Sequence, residues 1–312
     1  MLGAIAGDII GSRFEYNDYR NRGKDGSGRD FRLFTEKTEF DDASDHKISK
    51  FTDDSVLTVA VADALLEGKD MADALRAWGE RYPGRGYGSG FGRWLAGELT
   101  GPYQSKGNGS AMRASAAGHL AATAEQAMDL GRRSAEVTHD HPEGIKGAQA
   151  VSLGVWMLRS GADKNALRDE LEKRFGYDLR KPLDWYRRTN QFSEQCEKTV
   201  PPAFAAFLEA DDFESAMRNA VSVGGDSDTI ACVAGAWAEA AWGVPDGIRE
   251  EVLKRITPEM RNVLEKAETH ARDVAGKTQA KVADILADHV EEPESASSAR
   301  LSVPGGEISD AK

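Results

Sequence analysis

Two short acidic runs hold the densest chemical potential in the chain: Thr52-Asp53-Asp54-Ser55 and Gly224-Gly225-Asp226-Ser227-Asp228-Thr229. Carboxylates one or two residues apart in a turn can converge on one cation, and paired glycines let the backbone come close or adopt positive φ. Each run directly precedes an apolar stretch with helical spacing, so helix capping accounts for part of the pattern. Capping needs one acid, however, and not two behind a double glycine. A third acidic pair lies in the opening segment, where Gly3, Gly7, Gly11 and Glu15 recur every fourth residue and Asp8 precedes Glu15 by two helical turns. The spacing predicts one helix over 2–14, packed tightly through its glycines, with both acids aimed into a site. All these ligands are oxygens. Without a set of thiols or histidines they suit Mg²⁺, with Mn²⁺ as the alternative, better than zinc, and their number is enough for two ions.

Three further stretches look able to hold a ligand. Tyr103 to Arg113, YQSKGNGSAMR, is a Gly/Ser/Asn turn running into a helix, where backbone amides can cradle phosphate and Asn108, Ser110 and Arg113 add donors. Upstream, RGYGSGF offers aromatic rings, Tyr87 among them, that could stack on a base. Downstream, His139 and His141 flank an acid in THDHPEGIKGA, just ahead of another helix. Each of these is also what an ordinary turn, cap or buried histidine looks like. With no third soft ligand nearby, zinc is poorly supported there.

The elements that must position these residues read as helices throughout. Helical apolar periodicity predicts segments at 54–67, 71–81, 110–121, 125–136, 143–160, 163–174, 197–208, 212–222, 229–242 and 246–289, the last broken before Pro258. Period-two alternation is scarce, so the expected class is all-α. Residues 17–50 are polar and unpatterned, and are expected to form a mobile loop; the Ser/Pro/Gly/Glu-rich end, 290–312, cannot bury enough apolar surface and is expected to be disordered. This leaves one domain over 1–289.

Composition narrows the partners. The 312 residues suffice for a substantial core, and 40 basic against 52 acidic residues give a formal charge of −12, which repels nucleic acid and anionic lipid. Two cysteines, Cys196 and Cys232, form neither a disulfide framework nor a zinc motif. The opening lacks the basic start and apolar run of a signal peptide or membrane span. A cytoplasmic monomer with no membrane partner is expected.

Taken in order, GAIAGDIIGSRFE, FTDDS, GYGSGF, GNGSAMR, VTHDHPEGIKGA and GGDSDTIACVAGAWAEA resemble the motifs of the ADP-ribosylglycohydrolases, the dinitrogenase-reductase-activating glycohydrolase group, over about residues 2–255. The resemblance implies a compact orthogonal helical bundle around a central binuclear magnesium site. By motif position it makes Thr52, Asp53, Asp54, Asp226, Asp228 and Thr229 metal ligands, and places Glu15 at or near the metals. Glu15, Asp53 and Asp54 are the candidate catalytic carboxylates. Ser105, Asn108, Gly109, Ser110 and Met112 fall in the segment that holds ADP-ribose, with His139 near its phosphates and Tyr87 in the aromatic segment. The implied reaction is metal-dependent hydrolysis of the glycosidic bond between ADP-ribose and an acceptor, a modified protein or a small molecule. A nucleic acid enters only as a modified substrate. Two rivals stand beside it: a two-metal phosphohydrolase, and a non-catalytic ADP-ribose binder. Ser55 and Ser227 replace the threonines usual in these motifs but keep a hydroxyl, and the 17–50 stretch is longer and more polar than the family pattern.

Overall fold

The computed structural model describes residues 1–15, 33–34 and 48–288, with those beyond 274 described by backbone alone. Most of the 17–50 stretch and the 290–312 end therefore lie outside the described residues. The chain divides into two units, Met1–Val274 and Ala275–Lys312. Among the described residues of the first, fourteen helices precede a last one, which runs on past Val274. They are α1 (Leu2–Gly11), α2 (Asp53–Glu67), α3 (Met71–Arg81), α4 (Ser89–Leu95), α5 (Gly109–Met112), α6 (Ser115–Leu120), α7 (Ala124–Glu136), α8 (Pro142–Arg159), α9 (Lys164–Phe175), α10 (Leu183–Thr189), α11 (Cys196–Leu208), α12 (Phe213–Val223), α13 (Ser227–Trp242), α14 (Asp246–Arg255) and α15 (Pro258–Asp288). Among the described residues there is no strand, only an isolated bridge between Gly107 and Gln195. The class is all-α, as the periodicity predicts.

Local chemistry explains the boundaries. Thr52 caps α2 through its side chain, and Gly68 ends that helix in the left-handed region, where a Cβ would be strained. The break before Pro258 falls where predicted, with Ile256 leaving helical geometry. Two predicted helices differ from expectation. The predicted 2–14 helix stops at Gly11, and the predicted 110–121 helix divides at Arg113 and Ala114, whose ψ values flatten to −3° and −10°. At the break stands the fully buried Arg113, whose guanidinium donates to the Ser134 carbonyl and the Thr138 hydroxyl. Helices α4 and α10 were not expected: α4 carries Gly90 and Gly92, and both helices have only seven residues, too few for a periodic signal.

The packing of α1 on α13 sets the geometry of the whole site. A Cβ on Gly3, Gly7 or Gly11 would lie 2.4, 2.0 or 2.4 Å from the carbonyl oxygens of Gly235, Ala231 and Ser227 respectively. The pairing runs backwards in number, so the helices are antiparallel and touch backbone to backbone. Every residue of α1 is buried. Contact this close brings the end of α1 to the start of α13, where Ser227 Oγ donates to the Gly11 carbonyl at 3.2 Å.

Asp8 fastens a third element to the same place. Its carboxylate, fully buried on α1, accepts from Thr52 N (2.9 Å), Thr52 Oγ1 (2.7 Å), Ser55 N (3.1 Å) and, in a short bond, Ser55 Oγ. Burial still pushes its pKa up to about 6, against the opposing effect of these donors. The serine that departs from the family's threonine at position 55 keeps the hydroxyl this anchor needs.

Two substitutions test these contacts. Gly7→Ala forces a methyl into the Ala231 carbonyl and is expected to cost about 3 kcal/mol or more in urea unfolding, as overpacking does. Gly92→Ala, which meets nothing within 4 Å, is expected to leave stability unchanged or raise it by about 0.4–1 kcal/mol. Equal effects would refute the close-packing account. Asp8→Asn turns an amide group toward donors that need an acceptor, and should cost about 1–3 kcal/mol in the same assay; wild-type stability would show that Asp8 is not the anchor.

Candidate active site

The end of α1, the first turn of α2 and the glycine turn before α13 meet at one wall of a cleft of about 260 Å³, close to the lower limit of about 300 Å³ for small-molecule pockets. Glu15, Thr52, Asp53, Asp54, Asp226, Asp228 and Thr229 line that wall. Carboxylate oxygens of Glu15, Asp226 and Asp228 lie within 4.8 Å of one another. Thr229 Oγ1 donates to Asp54 Oδ2 at 3.4 Å, whereas Asp54 Oδ1 is buried with no hydrogen-bond partner among the described residues. The turn itself needs its glycines: Gly224 and Gly225 have φ of 71° and 80°, and Asn190 Nδ2 donates to the Gly224 carbonyl. Asp53 is steered by a different loop, its N–H donating to the Arg85 carbonyl at 2.8 Å.

Electrostatics at this wall are unfavourable for the protein alone. Asp53, Asp54 and Asp228 are all held well above the ordinary carboxylate range, first by burial and then by each other's charge and that of Asp8, Asp226 or Glu15. A buried oxygen without a partner, inside a group of mutually repelling carboxylates, is the environment a hard divalent cation relieves. The donor set fits such an ion. Its members are hydroxyls and carboxylates, which excludes the thiolate and imidazole preferences of zinc.

Glu15 reaches the wall by a route unlike the predicted one. Because α1 stops at Gly11, Glu15 lies in the turn beyond it and shares no helical face with Asp8. The two acids have separate tasks: Asp8 anchors α2 from inside, and Glu15 joins Asp226 and Asp228.

The facing wall is built from the Tyr103–Met112 segment. Ser105, Asn108, Gly109, Met112 and His139 line it, as does Gly107. The Asn108 N–H donates to the Glu194 carbonyl at 2.7 Å, and both protons of its side-chain amide are used, on Asp226 Oδ2 (2.7 Å) and Thr199 Oγ1 (2.9 Å). Asn108 thus ties the two walls together. Ser110 is fully buried and donates to the Gly144 carbonyl at 2.7 Å, so its hydroxyl serves the fold and lies outside the lining. Arg113 borders the cleft but spends Nε and Nη2 on the Ser134 carbonyl and the Thr138 hydroxyl, which leaves Nη1 buried without a partner among the described residues. His139 borders the cleft with Nε2 above the Gly107–Gly109 turn, while His141 caps α8 by accepting from Glu143 N at 3.1 Å.

Aromatic lining differs from the sequence reading. Tyr87 stacks on Phe91 with centroids 5.4 Å apart and donates its hydroxyl to the Tyr82 carbonyl, so it stands behind the lining. Phe91 and Tyr103 face the cleft instead; both sit within motifs recognisable in the sequence, but nothing there ranks them above Tyr87. Glu194 is a further lining carboxylate that sequence reasoning missed. It belongs to an irregular segment with no local pattern, and reaches the site only through the backbone pairing with Asn108 and the neighbouring Gly107–Gln195 bridge.

Comparison with known proteins places this arrangement. The family model described as ADP-ribosylglycohydrolase matches residues 1–287. The ADP-ribosyl-[dinitrogen reductase] glycohydrolase of Rhodospirillum rubrum is 29% identical over 216 residues, covering 64% of this chain and 71% of the relative. The zebrafish (Danio rerio) ADP-ribosylhydrolase ARH3 is 27% identical over 310 residues, with 78% of this chain and 82% of the relative covered. A solved structure titled ADP-ribosylglycohydrolase-related protein complex superposes with a TM-score of 0.62 over 87% of this chain and 96% of that one; at 24% identity it supports the fold alone. The family-model match spans nearly the whole chain, and on it the chain belongs to the ADP-ribosylglycohydrolase family of hydrolases.

Proposed function

We propose that this protein hydrolyses the glycosidic bond between the distal ribose of ADP-ribose and an acceptor group, with Mg²⁺ as its metal. The observation that carries the reading is the carboxylate wall, with the unpartnered buried Asp54 Oδ1, facing the Ser105–Gly109 turn and His139 across one cleft. Thr52, Asp53, Asp54, Asp226, Asp228 and Thr229 would hold two ions, with Mn²⁺ able to substitute. Such ions, when bound, polarise ribose hydroxyls and make a water molecule more acidic.

The chain's own groups do the rest. Ser105, the Gly107–Gly109 backbone, Met112 and His139 grip the nucleotide-sugar from the facing wall, and Phe91 and Tyr103 offer rings for stacking. Asn108 keeps Asp226 oriented while bordering the same space. Glu15, Asp53 and Asp54 are the candidates for accepting a proton from the attacking water, and burial raises the basicity of Asp53 and Asp54. The ring of carboxylates also stabilises positive charge developing at the anomeric carbon. Two free, buried thiols, Cys196 and Cys232, suit a reducing compartment such as the cytoplasm.

The test is a panel of ADP-ribosylated substrates with arginine, serine, nucleobase or small-molecule acceptors, assayed with Mg²⁺ and with chelator. Release of intact ADP-ribose only with the ion supports the proposal. AMP or inorganic phosphate would identify a phosphohydrolase, and Mg²⁺-dependent binding of ADP-ribose without turnover would identify a binder. Asp53→Asn and Asp226→Asn are expected to lower turnover at least about a hundredfold, with helical content retained; wild-type rates would refute the assignment.

Metal and stability should be linked in a specific way. Mg²⁺ is expected to raise the thermal midpoint of the wild type, and EDTA to reverse the gain. Without the ion, Asp54→Asn should unfold above the wild type, by about 2–4 °C for each kcal/mol of relieved burial and repulsion. It should also lose most of the Mg²⁺ response. An unchanged midpoint in both states would contradict a cation site at Asp54.

A further inference from the structure

Arg113, Thr138 and His139 form a chain of hydrogen bonds that ends at the cleft. A guanidinium can only donate. Arg113 Nη2 gives its two protons to the Ser134 carbonyl (2.7 Å) and Thr138 Oγ1 (2.8 Å), and Nε donates to the same carbonyl at 3.2 Å. Thr138 Oγ1 also lies 2.7 Å from His139 Nδ1. The backbone holds the group in place: His139 N and Thr138 N both donate to the Ala135 carbonyl, and Tyr103 N donates to the Thr138 carbonyl.

Two proton arrangements are consistent with these partners. In one, Thr138 donates to Nδ1. In the other, Nδ1–H donates to Thr138, whose own proton then meets no acceptor among the described residues. The first is favoured: Arg113 can only donate, so Nδ1 is the acceptor left for the fully buried Thr138 hydroxyl. The cationic Arg113 strengthens that preference, because a hydroxyl already accepting from a cation is polarised to donate. Burial and the same cation also keep the imidazole neutral, its pKa well below the ordinary histidine value. Nε2 meanwhile points at the cleft turn: a Cβ on Gly109 or Gly107 would stand 3.1 or 3.4 Å from it.

We propose that Arg113 and Thr138 are positioning residues that lock His139 in the Nε2–H tautomer, so that the cleft presents an N–H donor to an acceptor oxygen of the bound ligand. The other tautomer would turn a lone pair toward that oxygen and repel it. Arg113, which also borders the cleft, therefore assists anion recognition through two intervening hydrogen bonds. The ligand part of this inference rests on the function proposed above; the tautomer does not.

The experiment is long-range ¹H–¹⁵N spectroscopy of ¹⁵N-histidine-labelled protein without ligand, His139 being assigned from the His139→Gln variant. Wild type is expected to show a neutral ring with Nε2 protonated and Nδ1 accepting. Thr138→Val keeps the shape but removes the relay, and should move His139 toward the Nδ1–H form; Thr138→Ser should restore the wild-type shifts. ADP-ribose affinity should fall about tenfold in Thr138→Val and recover in Thr138→Ser, the scale of one lost hydrogen bond. Nδ1–H in the wild type, or unchanged histidine shifts in Thr138→Val, overturns the proposal. Failure of the wild type to bind ADP-ribose would count against the functional reading, and the histidine shifts would still decide the tautomer.

Discussion

Backbone contact between α1 and α13 is the constraint on which the site depends. Side chains normally hold packed helices 8–10 Å apart, and three glycines at four-residue spacing remove that spacer along one whole face of α1. The consequence is positional. An antiparallel pair this tightly docked brings Gly11 to Ser227, and so carries Glu15 to Asp226 and Asp228 across more than two hundred residues of sequence. Asp8, on the same helix, then draws in the first turn of α2, and with it Asp53 and Asp54. One glycine-striped helix thereby assembles three acidic segments that share no local contact in the chain.

That assembly is costly by itself. Buried carboxylates near one another raise each other's pKa and resist ionisation, and a buried oxygen of Asp54 has no hydrogen-bond partner among the described residues. The rest of the structure holds the group together against this repulsion. Asp8 is bonded by four donors, Asn108 steadies Asp226 from the facing wall, and the apolar core of α8, α11 and α13, with Trp237 against Phe204 and Phe207, surrounds the helices that carry it. An arrangement stabilised elsewhere and strained at its centre is what a site organised around a cation requires.

How much of this could be read from sequence depended on the range of the interaction. The acidic turns, their helices and the double glycine were legible because capping, periodicity and positive φ are local properties. The glycine stripe announced tight packing, though not its partner. Asp8 was misplaced beside Glu15 because its function comes from Thr52 and Ser55, and the helix meant to align the two acids stops at Gly11. Arg113 and Ser110 looked like ligand donors at a turn; the Ser134 carbonyl on α7 takes up Arg113 Nε and Nη2, and the Gly144 carbonyl on α8 takes up the Ser110 hydroxyl. Phe91 displaced Tyr87 because the short helix α4, weakened by its glycines in any propensity reading, decides which ring faces the cleft. Glu194 enters through backbone pairing alone, which leaves no trace in residue type.

The central claim is that the three acidic segments form one divalent-cation site beside the sugar-binding wall. Crystals grown with Mn²⁺ and ADP-ribose, measured at the manganese absorption edge, address it directly. The account predicts anomalous density within coordination distance of Asp54 Oδ1 and of the Asp226 and Asp228 carboxylates, with the ribose lying between that density and the Asn108 turn. Ordered carboxylates without anomalous density among them, or ADP-ribose bound away from them, would contradict it.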